Sequence, residues 1–389
     1  MTSISSSSAQ LTCLCGAISA SGTLLSSSEI PINAAICHCN PCRYTSGSLG
    51  IAFPLLKEPP PQETLSKLTG YNSSQKLTRY FCPTCGCHCF HINHHSQKWY
   101  CQGGNVEPSP AFESSNSHTD ILWPKDTVKI SHHDFVLDTV DGGLTPLLLN
   151  LNGRTVPTWS AASPPQPPSP QQEGHDSFDL PHETVLSLPR KSLGTLSSPK
   201  EDSYLPAKCH CGGVSLLIKR AIFDHEGPAR YIPSDPTKYL TYLCACRSCR
   251  LSTGVSLTAW TLVPSENVFN ANAPATASND NESNLTPVVF GKPASSADAN
   301  PGLSLTYHWS SPDVCRSFCG NCGATVFYWC GQRPDELDLA TGILRAEEGS
   351  MARRWLEWVW GRCSFTEESV DQEMCEAWLG SAEEGKKSR

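Results

Sequence analysis

The chain has 389 residues, a formal net charge of −8 and 21 cysteines. That length suffices for two or three domains with separate cores. The acidic balance, with no basic run longer than two residues, argues against a nucleic-acid surface, and no apolar stretch approaches the roughly 20 residues of a membrane helix.

The N-terminal Met1-Thr2-Ser3-Ile4, followed by a serine run, lacks the basic and apolar regions of a secretory signal. The expected setting is therefore a reducing compartment, the cytoplasm with the nucleus left open. Cysteines there read as metal ligands before they read as a disulfide framework.

Taken in chain order, Cys13-Leu14-Cys15-Gly16 precedes a short strand at 17–20. A triplet follows in Cys37-His38-Cys39-Asn40-Pro41-Cys42, then Phe81-Cys82-Pro83-Thr84-Cys85-Gly86. These lie in a first expected domain, 11–150. Residues 155–202, with their proline run at 163–170 and few apolar side chains, read as a disordered linker. The same series then returns as Cys209-His210-Cys211-Gly212, the triplet Cys244, Cys246 and Cys249, and Phe318-Cys319-Gly320-Asn321-Cys322-Gly323. It occupies a second domain, 203–385, whose polar run 270–301 reads as a disordered insertion. The repeated order implies a tandem duplication.

Strand-like runs of β-branched and aromatic residues recur at 213–218, 256–260 and 324–328, and long helical periodicity is absent from both bodies. The fold class expected is mainly β, two zinc-bound domains with one C-terminal helix. That helix would be capped by Ser364 and Glu367, would carry Val370, Met374 and Trp378 on one face, and would close at Gly380.

Cys-x-x-Cys-Gly is a zinc-knuckle pattern, and two such turns complete a tetrahedral four-thiolate site. Cys13, Cys15, Cys82 and Cys85 form one expected structural site, and Cys209, Cys211, Cys319 and Cys322 its twin. Each triplet then has an ion of its own, giving up to two zinc ions per domain, and lacks a fourth ligand. Either an exogenous thiol enters there, deprotonated by the metal and nucleophilic towards a carbonyl, or a protein side chain closes the site. Candidates for closure are Cys87, His88, Cys89, His91 and Cys101 in the first domain and Cys315 and Cys330 in the second. Arg43 and Arg250, beside the triplets, could pair with a substrate carboxylate or salt-bridge within the fold. The run Arg353 to Trp360 reads as core or interface tryptophans before a single-strand binder, and His94-His95 and His132-His133 as surface residues.

Cys-x-Cys-Gly, Cys-His-Cys-x-x-Cys-Arg-x-x-x-Gly and Arg79-Tyr80-Phe81-Cys82-x-x-Cys85-Gly86 together resemble the glutathione-dependent formaldehyde-activating enzyme family, which includes centromere protein V. The resemblance spans about 11–150 and 203–362. It implies an antiparallel β-tent fold, with four cysteines on a structural zinc and three on a zinc exposed to glutathione. The implied activity is carbon–sulfur lyase chemistry joining formaldehyde and glutathione, with glutathione as co-substrate and small thiols and aldehydes as the only partners. His38 could transfer a proton there, and Arg43 and Arg250 could contact glutathione carboxylates. The second copy departs from the pattern at Ala245, where the first has His38, and at Gly342-Ile343-Leu344-Arg345, where the first keeps an acid in Gly104-Asn105-Val106-Glu107. Those departures make the first domain the expected active centre. A non-catalytic zinc scaffold binding a protein or cytoskeletal partner is the competing expectation.

Overall fold

A computed structural model describes residues 9–21, 31–108, 126–162, 179–194, 203–223, 232–273, 285–295 and 299–383. The described chain is mainly β, and its strands form two related sets.

In the first half, Val128–Asp134 pairs in parallel with Ile32–Cys37, which pairs antiparallel with Ile51–Pro54. A separate antiparallel meander runs Thr69–Ser74, Leu77–Phe81, His88–Asn93 and Lys98–Cys101. The second half repeats both motifs and joins them. Leu356–Ser364, Tyr239–Cys244 and Thr258–Pro264 take the first arrangement, and Glu336–Ala340 bonds Thr258–Pro264 to the meander as one seven-stranded sheet. In the first half, among the described residues, the matching edges meet at the isolated Leu55–Tyr100 bridge.

Two short helices sit at equivalent places, α1 (Asn40–Ser46) and α2 (Arg247–Thr253). Each begins at the middle thiol of its triplet, because the sulfur of Cys39 or Cys246 accepts the amide of Cys42 or Cys249 as an N-cap. Each ends at a left-handed glycine, Gly47 or Gly254.

The halves grip one another through these helices, and the contacts are reciprocal. Leu14, in the first Cys-x-Cys, donates its amide to Leu251, and His210, in the second, donates to Tyr44. Gly104 donates to Gly254 and Gly342 to Gly47, both at 3.0 Å. A Cβ at Gly104 would stand 2.4 Å from the Gly254 carbonyl carbon, and one at Gly342 2.3 Å from the Ser48 oxygen. Only glycine permits backbones to approach so closely.

The linker and insertion are less uniform than their composition suggests. Residues 155–162 and 179–194 are ordered, and His182–Gly194 forms a helix, α3, whose Val185 packs with Val136, Leu149 and Leu180. A few apolar side chains facing one groove sufficed to anchor a polar stretch. Thr286–Pro287 likewise pairs with Val268–Asn270 inside the predicted insertion. The proline run at 163–170 and residues 274–284 lie outside the described residues. The C-terminal helix, α4 (Gln372–Gly380), starts later than expected. Ser364 ends a strand, and the cap is Asp371, whose carboxylate accepts the Met374 amide. Among the described residues no helix is long and apolar enough to cross a membrane.

Candidate metal centres

Four thiol clusters form. Cys13, Cys15, Cys82 and Cys85 bring their sulfurs within 4.8 Å of one another, as do Cys209, Cys211, Cys319 and Cys322, and so do the two triplets. Sulfur separations of 3.5–3.6 Å, as between Cys15 and Cys82 or Cys211 and Cys319, far exceed a disulfide bond of about 2.05 Å. They approach the roughly 3.8 Å edge of a tetrahedron with bonds of about 2.3 Å, so the donor sets fit zinc.

Among the described residues no fourth Cys, His, Asp or Glu ligand atom joins either triplet. The candidates for closure lie outside both triplets, and His88 packs beside Phe81 with ring centroids 5.7 Å apart. Cys87 bonds the Asn105 side chain, Cys89 and Cys101 lie in the main core, and His91 stacks on Tyr100. Cys315 and Cys330 are buried on their own strands.

Each triplet instead has a buried arginine. Arg79 Nη2 lies 3.2 Å from Cys42 Sγ while its Nε donates to Ser73, and Arg316 Nη1 lies 3.6 Å from Cys249 Sγ. Three thiolates around a divalent ion leave one net negative charge, which a buried guanidinium balances. The neighbouring sulfurs of Cys37 and Cys39, together with Arg79, pull the Cys42 thiol well below its usual range. Sequence reading passed over both arginines, although Arg79-Tyr80-Phe81-Cys82 and Arg316-Ser317-Phe318-Cys319 place them three residues before matching cysteines.

His38, a candidate for proton transfer, is fully buried. Its Nε2 shares a 2.9 Å hydrogen bond with His133 Nδ1 and its Nδ1 lies 3.4 Å from the Leu49 carbonyl, so it links the triplet strand to the core. Burial pushes its pKa down to about 4. His133, read as a surface residue, is buried with it. Neither Arg43 nor Arg250 presents a free guanidinium. Arg43 is buried and donates to Asn40 Oδ1 at 2.5 Å. Arg250 is 1% exposed and bonds the Glu107 carboxylate at 2.7 Å, which Arg247 also grips through Nε and Nη2. The acid retained in the first half therefore anchors the second. At the reciprocal place Arg345 stacks over Tyr44, 3.0 Å from the ring centroid.

The tryptophans of 353–360 are packing residues: Trp355 and Trp358 are buried, and Trp360 stacks on Trp378.

The surroundings of the two triplets differ. Cys37 and Cys42 pack with Ile51 and Val255, flanked by Phe53 and Phe135. Over the second triplet lies a cavity of about 690 Å³. Tyr242, Trp260, Trp309 and Tyr328 line it along with Asp338, and Leu14 and Cys15 of the first half contribute to its rim.

Residues 8–119 match the family model described as glutathione-dependent formaldehyde-activating enzyme. That segment contains all seven cysteines of the first half's two clusters, so the family resemblance holds there. The second half is linked to it by the repeated thiol clusters and the reciprocal helix contacts. No curated protein and no solved structure matches the chain.

Proposed function

We propose that this chain is a zinc-dependent carbon–sulfur lyase that acts on adducts of glutathione, or another thiol, with formaldehyde or a small aldehyde. The observation that carries the reading is the incomplete triplet: three sulfurs converge, and no fourth ligand atom of the described residues joins them. Structural zinc sites are closed, whereas sites that do chemistry keep a position for a visitor. Zinc at such a position supplies a Lewis acid that keeps an incoming thiol deprotonated near neutral pH.

On this reading Cys13, Cys15, Cys82 and Cys85, with their twins, hold structural zinc in domains 11–150 and 203–385. The two triplets hold exchangeable zinc. Arg79 and Arg316 offset the thiolate charge, and His38 supports the first triplet from behind without exchanging protons with substrate. A reducing, cytoplasmic setting suits a chain that depends on so many free thiols.

Zinc-edge X-ray absorption of the metal-loaded protein with and without glutathione tests this. An added sulfur at about half of the zinc is the expected result. An unchanged sulfur count would leave a closed scaffold, and so would a Cys39→Ser variant that unfolds as completely as Cys13→Ser.

A further inference from the structure

The strand registers allow the two triplet surroundings to be compared position by position. Tyr242 faces Trp260 where Ala35 faces Phe53. Trp309 faces Cys315 where Asn72 faces Thr78. Tyr328 lies between Arg316 and Asp338 where His91 lies between Arg79 and Tyr100. At four wall positions the second half thus has a larger aromatic side chain than the first, and still borders a cavity of ligand size. Tyr328 is held by two guanidiniums, Arg316 at 4.9 Å and Arg333 at 5.8 Å from its centroid. Aromatic walls fixed in this way favour a flat, apolar ligand group.

The cavity also has one deep carboxylate. Asp338, 2% exposed, takes the Tyr242 hydroxyl on Oδ1 at 3.1 Å and the Arg333 guanidinium on Oδ2. Each oxygen has a second acceptor position. The other acid in the lining, Glu368, is already bonded to the Arg247 amide at 2.7 Å.

We propose that the cavity over Cys244, Cys246 and Cys249 is a substrate site for the thiol adduct of an aromatic aldehyde. The sulfur sits at the open position, the ring lies against Trp309 and Tyr328, and the hydroxyl points to Asp338. This rests on the lyase reading and moves its principal site to the second half. In cleavage the hydroxyl proton passes to the Asp338 carboxylate, the carbonyl forms, and the carbon–sulfur bond breaks with its electron pair left on sulfur. Synthesis runs these steps in reverse, and nothing is oxidised or reduced. Burial, only partly opposed by Arg333, raises Asp338 to about 6, which suits a group that both takes and returns a proton near neutrality.

The test uses the full chain loaded with cobalt(II), whose absorption reports thiol entry. The probes are benzyl mercaptan, which carries the sulfur–carbon–ring part of such an adduct, and 2-mercaptoethanol. Benzyl mercaptan should saturate at a concentration about tenfold lower or more. That preference should persist in Cys39→Ser, vanish in Cys246→Ser, and shrink in Trp309→Ala with 2-mercaptoethanol binding unchanged. Asp338→Asn should bind benzyl mercaptan normally yet release thiol from the benzaldehyde–glutathione adduct at least tenfold more slowly. Equal affinity for the two probes, a preference that survives Cys246→Ser, or undiminished turnover in Asp338→Asn would overturn the proposal while the lyase reading stands. Cobalt spectra that respond to neither probe at either triplet would sink both.

Discussion

The two halves share a framework and differ in what it encloses. Seven thiols, a buried arginine, an N-capped helix and a left-handed glycine recur in register. The walls do not. Both triplets back onto an apolar cluster, Cys37 and Cys42 with Ile51 and Val255, Cys244 and Cys249 with Trp260 and Ala340, but Phe53 and Phe135 flank the first, whereas Trp309, Tyr328 and Asp338 line a cavity over the second. Gripping a metal constrains a few sulfurs closely and leaves facing strands free to change what the site admits.

The largest effect is expected at the four-thiol sites. Cys209→Ser should lose one zinc equivalent and unfold the second half, because a structural zinc contributes on the order of 10 kcal/mol of apparent folding free energy. Metal analysis combined with limited proteolysis checks this. Second-half resistance equal to that of the parent chain would show that this cluster does not hold the fold.

Next comes the asymmetric lock between the halves. Glu107→Gln removes the carboxylate shared by Arg247 and Arg250 and should cost about 3–5 kcal/mol in chemical denaturation, as breaking a buried pair does. Burial works against the charge of Glu107, but the two guanidiniums prevail and hold its pKa below the usual value. Its stabilising effect is therefore complete above the unfolded carboxyl pKa of about 4.3 and fades as pH falls through the folded value. In Glu107→Gln the acid loss of stability should be shallower. Arg345→Glu, at the reciprocal position, should have a smaller effect, since that arginine stacks on Tyr44 without a carboxylate partner of its own in the contact.

A smaller effect is expected at the close backbone approach. Gly104→Ala and Gly342→Ala should each cost about 1–3 kcal/mol, the range for overpacking, and by similar amounts if the two contacts are equivalent. Thermal unfolding of the pair measures their symmetry, and a large inequality would show that one contact dominates.

The least effect on chemistry is expected from His38. His38→Ala leaves His133 without its ring partner and should lower stability by about 1–3 kcal/mol. Thiol-dependent turnover should be retained, because the ring faces the core. A loss of turnover with stability intact would return His38 to the site.

How much was legible in the sequence followed the range of each interaction. Cys-x-Cys-Gly, Cys-x-x-Cys-Gly and the triplets are local, so their spacing revealed the clusters and the repeated order. Alternation and β-branched runs revealed the strands for the same reason. Ser364 and Glu367 had the spacing of a capping box yet ended in or after a strand, since pairing of Leu356–Ser364 with Tyr239–Cys244 outweighed the local preference.

What tertiary structure decided depends on chain segments far apart. Arg250 had either a ligand or an internal salt bridge open to it, and Glu107, 143 residues earlier, supplies the salt bridge. The His133 strand buries His38 in the core, and the strands facing the second triplet frame a cavity that Ala245 gave no sign of. From sequence alone the sulfurs of each pair and triplet had to lie together, because short spacing limits where they can go, and the repeated order suggested which pairs combine. What surrounds each triplet came only from the packed molecule, because strand register brings remote side chains together and local composition does not record that pairing.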